Sequence, residues 1–440
     1  MIEWASSLWW RKRFLPRNAR PHQELLDFEK MPPDRQRLEL ARRLLDQIRY
    51  FGNRGDALPE WKEAARIRDP LELWRQWPAL PVIGKKDLQT RFHPEEMQRR
   101  FGLQGRANST GGSTGEPTPF FYDEAMTLAG CGADVYTRLR MGWRPGMPTV
   151  TVWGSDLDIG KAVPWRTRMA DALANTIHVD GYNLDEARVD RLVAALRPHR
   201  RVAMYGFSAM LEFVAARLAA RGETLPGKVQ VAWNGGEVLL DSQIETFRRV
   251  FGVPILNRYG GRELSAIACQ YSEGAPLTIL RPWLFVELLN EEGKPASPGE
   301  AASVVCTSTI CRGTPFLRYA IEDIAVAGPA RHSESGIDGF DRLEGRLAGL
   351  LTLPDGRKMG CIFWNHLFKE FGEVKQFQVI LRKDGSLRFL LRGDGFAAER
   401  EAKLRSALTG FTGIRAIEFA WVDEIPRTGR GKFVQVIREP

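Results

Sequence analysis

The sequence predicts an α/β protein of two domains, and three observations support this fold class. Short β-branched runs alternate with helical segments between about residues 148 and 258, which is typical of a parallel sheet with helices on both faces. After about residue 277 the chain becomes strand-rich with polar turns, which indicates an antiparallel β subdomain. We therefore predict a large N-terminal domain of residues 1–344 and a small α+β C-terminal domain of residues 345–440.

Residues 1–80 are expected to form a helical N-terminal part of the large domain. Residues 22–105 are rich in Arg, Glu and Leu, and the helical pattern breaks near Pro59, Pro70 and Pro78. Proline is not tolerated in a helix interior, so each of these positions is expected to separate two helices.

The elements of the α/β core follow from periodicity. Strands are expected at residues 148–153, 201–205, 229–233 and 254–258, and helices at residues 186–196, 209–220 and 243–251. The first of these helices carries Val189, Leu192, Val193 and Leu196 at helical spacing, which forms one apolar stripe.

The later elements are mostly strands. Residues 284–289 and 302–307 flank a polar turn and are predicted to pair as antiparallel strands. The C-terminal domain is predicted to contain strands at residues 376–381, 387–391 and 417–421, with a helix at residues 397–408.

The charge balance favours anionic ligands. The chain of 440 residues contains 63 Lys and Arg against 54 Asp and Glu, a formal net charge of +9. The excess is spread along the chain, which fits either a solvated basic surface or attraction of nucleotides and coenzyme A. No nucleic-acid-binding motif accompanies the charge, so nucleic acid is not an expected partner.

Cysteine usage and the length of apolar runs predict a cytoplasmic protein without a membrane span. The five cysteines are odd in number and widely spaced, which does not indicate a disulfide framework. No apolar run reaches the roughly 20 residues of a spanning helix. A zinc site assembled by folding from Cys269, Cys306 or Cys311 stays an open alternative.

A loop of glycine and hydroxyl residues is the first candidate binding segment. It consists of Ser109, Thr110, Gly111, Gly112, Ser113, Thr114 and Gly115. Glycines let backbone N–H groups close around an anion and hydroxyls add donors, although a flexible linker has a similar composition. No Lys-Ser/Thr pair follows in the required position, which argues against a P-loop kinase or ATPase.

Three further segments carry candidate side chains. Residues 258–263, Arg-Tyr-Gly-Gly-Arg-Glu, follow a predicted strand, where a ring can stack on a base and a carboxylate can hold Mg²⁺. Residues 315–323 end in Asp323, whose carboxylate can accept both ribose hydroxyls. Lys432 lies in a glycine-rich loop near the C-terminus, from which its ammonium can reach a developing negative charge. Each of these segments also has an ordinary interpretation when taken singly. The first can be a turn, the second can carry a surface ion pair, and the third can be a basic tail.

The order of these segments resembles the adenylate-forming superfamily, which includes acyl-coenzyme A ligases, peptide-synthetase adenylation domains and luciferases. The hydroxyl/glycine loop is followed by Tyr-Gly-x-x-Glu, Arg-x4-Asp, Gly-Arg and Gly-Lys. Over residues 80–440 the chain is most similar to the phenylacetate–coenzyme A ligase branch and the related CapK-type proteins. The connector at residues 80–88, the Asn-Gly-Gly-Glu stretch at 234–237 and the Leu-Pro-Asp-Gly segment at 353–356 carry this likeness.

The resemblance implies two catalytic residues and a nucleotide site. Lys432 would bridge the substrate carboxylate and the α-phosphate, and Glu263 would bind Mg²⁺. Tyr259 would stack on adenine, and Asp323 would hold the ribose hydroxyls with Arg346 nearby. The full set implied to bind ATP or AMP is Ser109, Thr110, Gly111, Gly112, Ser113, Thr114, Gly115, Gly235, Gly236, Glu237, Tyr259, Gly260, Asp323 and Arg346.

The expected activity is the ATP- and Mg²⁺-dependent conversion of a carboxylic acid, by resemblance an aromatic one, into an acyl-adenylate, followed by transfer to coenzyme A. The resemblance also implies a C-terminal domain that moves and a possible homodimer. The chain departs from the family at Arg262, at Glu116 and at residues 347–349, where Leu-Ala-Gly replaces an acidic hinge. Without the acidic hinge, the prediction of transfer to coenzyme A has less support than the prediction of adenylation.

Two alternatives therefore accompany the ligase hypothesis. In the first, the adenylating enzyme passes the acyl group to a carrier-protein thiol, an amine or a sugar hydroxyl. In the second, the chain is a non-catalytic nucleotide-binding scaffold, although such a protein has no physical need for both Lys432 and Glu263.

Overall fold

A computed structural model of the chain describes residues 2–10, 15–92, 94, 96, 102–109, 118–153, 165–180, 186–236, 238–328, 332–333, 336–346, 351–352, 358–359, 364, 368, 371, 373–426 and 434–439. The fold class is α/β, as predicted. The chain forms two compact units, a larger one drawn mainly from the residues up to 342 and a smaller one drawn mainly from residues 343–440. Residues 322–325 belong to the smaller unit. That the smaller unit is an independent, mobile domain beginning at residue 345 stays a prediction.

The N-terminal part is helical. Its helices are α1 (Ile2–Trp9), α2 (Leu15–Glu29), α3 (Pro33–Gly52), α4 (Pro59–Ala64), α5 (Pro70–Gln76) and α6 (Lys85–Arg91). The prolines predicted to break the pattern begin α4 and α5, because proline lacks an N–H and suits the first helical position. Asp69 caps α5 by accepting a hydrogen bond of 3.1 Å from the backbone N–H of Leu71.

A parallel sheet forms the centre of the larger unit. It consists of β3 (Thr149–Trp153), β4 (Thr176–Asp180), β5 (Val202–Gly206), β6 (Val229–Asn234) and β7 (Ile255–Leu256), in the order β4-β3-β5-β6-β7. The connections contain α8 (Trp165–Ala174), α9 (Glu186–Leu196), α10 (Ser208–Ala220) and α11 (Asp241–Phe251). The chain reverses its direction of progress across the sheet between β3 and β5, which makes this the topological switch point.

Helices cover both faces of this sheet. On one face α9, α10 and α11 pack against Val150, Val152 and Met204 in a buried apolar cluster. On the other face lie α1 and α7 (Glu124–Met141), with Trp10 and Trp143 packed against the sheet. The stripe predicted on α9 belongs to the first cluster, so its burial follows from the helical spacing.

Antiparallel elements complete the larger unit. Strands β1 (Gly105–Ser109) and β2 (Pro119–Asp123) form a hairpin. A sheet in the order β16-β10-β9-β8 contains β8 (Arg258–Gly261), β9 (Ser265–Cys269), β10 (Leu277–Ile279) and β16 (Gly339–Phe340). Strands β11 (Leu284–Leu289), β12 (Ala301–Ser308) and β13 (Tyr319–Val326) lie side by side, and β11 and β12 pair antiparallel as predicted. The remaining short strands of this unit are β14 (His332–Ser333) and β15 (Gly336–Ile337). Strand β17 (Arg342–Arg346) belongs to the smaller unit from Leu343 onwards.

The smaller unit has its own sheet and core. Its elements are β18 (Leu351–Thr352), β19 (Lys358–Met359), β20 (Val374–Leu381), β21 (Leu387–Gly393), α12 (Ala398–Thr412), β22 (Ile417–Trp421) and β23 (Val436–Arg438). The main sheet has the order β22-β21-β20-β23. Phe377, Val379 and Phe389 of the sheet pack with Leu404 and Leu408 of α12 in a buried cluster.

Among the helices that the structure describes, none combines the length and the apolar composition needed to cross a membrane.

Candidate functional site

The candidate site begins at the carboxyl edge of the parallel sheet. Strands β3, β5 and β6 end there at Trp153, Gly206 and Asn234. The predicted residues Gly235 and Gly236 follow β6 directly and so lie at this edge. Open α/β sheets bind ligands outside the carboxyl ends of their strands, next to the switch point.

Four stacked rings, here called the aromatic ladder, lie at this edge: Phe207, Trp153, Tyr205 and Trp233. The ring centroids of Phe207 and Trp153 are 4.0 Å apart, those of Trp153 and Tyr205 5.1 Å, and those of Tyr205 and Trp233 5.8 Å. Interplanar angles of 16° to 24° make all three pairs stacked. Trp233 is buried, whereas the other three rings are half-buried, so the ladder reaches from the core to the edge.

The glycine pair is shaped by the ladder. A Cβ atom added at Gly235 would lie 2.7 Å from the hydroxyl oxygen of Tyr205. Gly236 has a φ of +76°, and a Cβ there would lie 2.7 Å from a ring carbon of Phe207. Since neither position accommodates a side chain, the backbone of both residues lies directly against the rings.

Asn234 connects three segments of the site by hydrogen bonds of its side chain. Its side chain is fully buried, and its amide Nδ2 donates to the hydroxyl of Ser208 at 2.9 Å. Its Oδ1 accepts the backbone N–H of Arg258 at 2.9 Å. Asn234 therefore fixes the loop after β5 and the start of β8 to the strand that precedes the glycine pair. Only its place in the Asn-Gly-Gly-Glu stretch pointed to it in the sequence.

Strands β8 and β9 form the hairpin that carries Tyr259, Gly260 and Glu263. The register shifts between Tyr259 and Gly260, which pair with Ala268 and Ala266. A Cβ at Gly260 would lie 2.1 Å from the carbonyl oxygen of Ser265, so the bulged hairpin needs glycine there. The Tyr259 ring is 5% exposed and stands edge-on to Phe340 at 5.9 Å. Its stacking on adenine stays a prediction.

Glu263 lies in the turn of this hairpin with a half-buried side chain. Within the described part of the chain its carboxylate has neither an ion-pair nor a hydrogen-bond partner. A Cβ at Gly261 would lie 3.0 Å from its Oε2, so the carboxylate folds back over that glycine. Magnesium is usually held by one or two carboxylates together with substrate phosphates, and one unpaired carboxylate fits that chemistry.

The hydroxyl/glycine loop joins two antiparallel strands. Ser109 is the last residue of β1 and lies opposite Pro119 at the start of β2. Thr110 to Gly115 lie outside the described residues, as do Glu237 and Lys432. A Walker A loop leads from a strand into a helix, so the β1–β2 hairpin has a different context from a P-loop.

The Arg and the Asp of the Arg-x4-Asp segment, Arg318 and Asp323, have different surroundings. Arg318 is 3% exposed, and its guanidinium donates to both carboxylate oxygens of Glu287, at 3.0 and 3.1 Å. It also donates to the carbonyl oxygens of Pro78 and Leu80. The guanidinium therefore anchors the connector after α5. Half-buried Asp323 lies on β13.

Arg346 is the last residue of β17, in the smaller unit. Its proximity to a ribose, like the ribose contact of Asp323, stays a prediction.

The cysteines proposed as zinc ligands are buried thiols. Burial raises the pKa of Cys269 to about 12 and also raises the pKa of Cys311. The thiolate is the metal-binding form, so these environments favour the form that does not bind zinc. No group of three metal-ligating side chains occurs among the described residues.

Comparison with solved structures covers most of the chain. 2-Hydroxyisobutyryl-CoA ligase in the postadenylation state, in complex with R3-HIB-AMP, is 16% identical over 93% of this chain and 90% of its own, with a TM-score of 0.68. The chain has the fold of the adenylating enzymes. O-succinylbenzoate coenzyme A synthetase from Bacillus subtilis, in complex with ATP and magnesium, is 15% identical over 75% and 68%, with a TM-score of 0.54.

A third solved structure is similar over a smaller part of the chain. Amide bond synthetase McbA from Marinactinospora thermotolerans is 18% identical over 72% of this chain and 64% of its own, with a TM-score of 0.51. No family profile and no curated protein matches the sequence. The predicted fold is thus confirmed, whereas the phenylacetate–coenzyme A ligase branch stays a prediction.

Sequence reasoning missed two residues of the candidate site. Tyr205 and Trp233 belong to the aromatic ladder but looked like ordinary strand residues. Tyr136 of α7 lies away from the ladder: it is 1% exposed, and its hydroxyl donates to Glu29 of α2. Its ring helps to attach the N-terminal helices.

Proposed function

We propose that the protein activates a carboxylic acid with ATP, forming an acyl-adenylate and releasing pyrophosphate. The observation that carries this proposal is the carboxylate of Glu263, which has no partner among the described residues and lies on a hairpin that Asn234 ties to the glycine pair at the carboxyl edge of an adenylating-enzyme fold. A protein that only bound apolar partners would have no use for an unpartnered, half-buried carboxylate.

The reaction is an in-line displacement at the α-phosphorus of ATP. A carboxylate oxygen of the acid forms the new P–O bond while the bond to pyrophosphate breaks, and no proton is transferred. The main obstacle is repulsion between two anions, so positioning and charge compensation supply most of the catalysis. Lys432 is proposed to bridge the attacking carboxylate and the α-phosphate.

The remaining residues hold the nucleotide. Residues 109–115 would orient the β- and γ-phosphates through backbone N–H groups and hydroxyls. Bound Mg²⁺ would withdraw negative charge from the phosphates, with Glu263 as its protein ligand. The adenine would lie beside the backbone of residues 235–237 and Tyr259, and Asp323 would accept the ribose hydroxyls with Arg346 close by.

An aromatic acid is the proposed substrate class. The half-buried rings of Phe207, Trp153 and Tyr205 present aromatic surface beside the glycine pair. Aromatic rings favour offset-stacked or edge-on contacts with another ring, at about 0.5–1.5 kcal/mol beyond the burial of area. A substrate ring seated on the ladder would gain this energy, whereas a short aliphatic acid would not.

Coenzyme A is the proposed acceptor of the acyl group. An acceptor amine is the second candidate, because Leu-Ala-Gly at residues 347–349 replaces the acidic hinge that thioester formation uses in the resembled family. A carrier-protein thiol or a sugar hydroxyl would serve the same chemistry. A homodimer stays a prediction.

The test is pyrophosphate release from Mg-ATP with a panel of aryl, fatty and amino acids, each with and without coenzyme A. We expect release with an aryl acid and loss of release in Lys432→Ala. A thioester formed with coenzyme A would support the ligase, and a stable acyl-adenylate consumed only by another nucleophile would support the alternative. No release with any acid, together with no ATP binding by calorimetry, would reject the proposal.

A further inference from the structure

The turn that carries Glu263 includes a strained residue. Ser265, the first residue of β9, has a φ of +60°, in the left-handed region that residues other than glycine rarely adopt. Such a conformation persists only where the surrounding structure fixes it, and it concentrates at functional sites. The contacts of Ser265 therefore show what holds the turn.

The first of these contacts comes from β2. The hydroxyl of Tyr122 lies beside that of Ser265, where the two can share a side-chain hydrogen bond, and Tyr122 is 9% exposed. Burial raises the pKa of Tyr122, so its hydroxyl stays protonated at neutral pH.

The two hydroxyls meet over a glycine of α7. A Cβ at Gly130 would lie 2.9 Å from the hydroxyl oxygen of Tyr122 and 3.2 Å from Oγ of Ser265. The absence of a side chain at Gly130 lets β2, α7 and the hairpin approach at one point.

The backbone around Glu263 is fixed on both sides. Leu264 is 3% exposed and lines a small apolar cavity with Met126 and Ala129 of α7. Gly260 packs against the carbonyl of Ser265, where no Cβ would fit. Glu263 thus lies between residues whose positions depend on Ser265.

We infer that Tyr122 is a positioning residue for the Mg²⁺-binding carboxylate: through Ser265 it holds the hairpin turn in the conformation that presents Glu263. The inference rests on the proposed role of Glu263. It assigns a function to a tyrosine that lies next to neither the glycine pair nor Glu263 in the sequence, and it explains why a strained serine is kept beside the turn.

The experiment is ATP binding by calorimetry across a series of Mg²⁺ concentrations, with the full chain. In Tyr122→Phe we expect the Mg²⁺ concentration for half-maximal enhancement of binding to rise about three- to tenfold, the effect of one neutral hydrogen bond. ATP binding without Mg²⁺ should change less than the Mg²⁺ response, because most of the proposed nucleotide contacts lie outside this hairpin.

Two substitutions at Ser265 distinguish a specific effect on the position of the Glu263 turn from a general loss of stability. Ser265→Ala removes the hydroxyl and keeps the steric cost of positive φ, so it should behave like Tyr122→Phe and add little to it. Glycine adopts positive φ freely. Ser265→Gly in the Tyr122→Phe background should therefore recover much of the Mg²⁺ response.

Tyr136→Phe is the matched control, since Tyr136 is another buried tyrosine with a hydrogen-bonded hydroxyl. It should leave the Mg²⁺ response unchanged. If Glu263→Gln abolishes the response but Tyr122→Phe does not alter it, the inference is wrong and the proposed site stands. If the unaltered protein shows no Mg²⁺-dependent ATP binding, the role of Glu263 and the inference both fail.

Discussion

The hairpin of residues 258–269 and the segment of residues 315–323 look alike in sequence but use their charges in opposite ways. Both contain residues other than glycine with positive φ: Ser265 at +60° in the hairpin, and Arg318 at +46° and Glu322 at +66° in the other segment. The hairpin leaves the carboxylate of Glu263 without a partner among the described residues. The other segment encloses the guanidinium of Arg318 with the carboxylate of Glu287 and two backbone carbonyls.

A motif residue therefore cannot be assigned a role from its order in the sequence alone. A buried charge is tolerated when it is paired and hydrogen-bonded, which is the case for Arg318 and Glu287. An unpaired carboxylate that stays half-buried at a sheet edge is instead available to a ligand. Arg318 thus stabilises the fold, while Glu263 is proposed to bind Mg²⁺.

The largest expected effect is on stability and concerns Arg318. We expect Arg318→Met to lower the free energy of unfolding by about 3–5 kcal/mol, because it leaves the Glu287 carboxylate buried without its cation. Urea unfolding followed by circular dichroism measures the change.

Arg248→Met is the matched control, since Arg248 forms ion pairs with Glu245 and Glu273 at the surface. Exposed pairs contribute about 0–1 kcal/mol. Equal losses in the two variants would contradict the structural role of Arg318.

The second effect is on activity and concerns Glu263. Glu263→Gln keeps the shape of the side chain and removes its charge, so pyrophosphate release should fall on the order of 100-fold, about 2.7 kcal/mol in the barrier. The urea midpoint should stay that of the unaltered protein, because Glu263 has no partner to lose among the described residues. If Glu263→Gln instead unfolded at a lower urea concentration and kept its rate of pyrophosphate release, Glu263 would have a structural role like that of Arg318.

The fold was largely predictable because its strands and helices are bounded and periodic. Helix α9 and strand β11 were predicted to the residue. Helix α7 was not predicted, since Gly130 and Gly132 interrupt its helical pattern, although both are needed for close packing. Strand β4, with the polar sequence Thr-Ile-His-Val-Asp, shows no apolar run by which to recognise it.

The candidate site was predictable only in part. Glycines after strands pointed to Gly235, Gly236 and Gly260 because backbone geometry is encoded locally. The partner of Arg318 could not be predicted, because Glu287 lies 31 residues away and pairing depends on strands β11 and β13. The Tyr122–Ser265 contact requires β2 and β9 to meet over α7, which no spacing reveals.

The third prediction concerns how the stability lost in Arg318→Met depends on pH. Burial raises the pKa of Glu287, and Arg318 and Trp77 oppose that rise. In Arg318→Met the pKa should rise further. A carboxyl group whose pKa is raised by folding stabilises the fold below its unfolded pKa, and this contribution is lost as the pH rises through the folded pKa. The stability deficit of Arg318→Met should therefore grow as the pH rises above the unfolded pKa of a glutamate, about 4.3, by roughly 1.4 kcal/mol for each further unit by which the pKa of Glu287 is raised.

Urea midpoints at several pH values measure this trend. Adding Glu287→Gln to Arg318→Met removes the titrating group, so the pH dependence of the deficit should disappear. A deficit that is constant with pH in the single variant would show that Glu287 is not the group left uncompensated.

The last prediction is a small change in the Mg²⁺ dependence of ATP binding, caused by a substitution at Gly261 of the hairpin. A methyl group at Gly261 would lie 3.0 Å from Oε2 of Glu263, and this glycine does not have a left-handed backbone. Gly261→Ala should therefore move the carboxylate without unfolding the turn, raising the Mg²⁺ concentration for half-maximal ATP binding about two- to fivefold, less than about 1 kcal/mol. Gly55→Ala, where nothing lies within 4 Å of the added Cβ, is the control. Because the carboxylate of Glu263 has no partner among the described residues, even this small displacement should reach the ligand, whereas the side chain of Arg318, hydrogen-bonded to Glu287, would resist one.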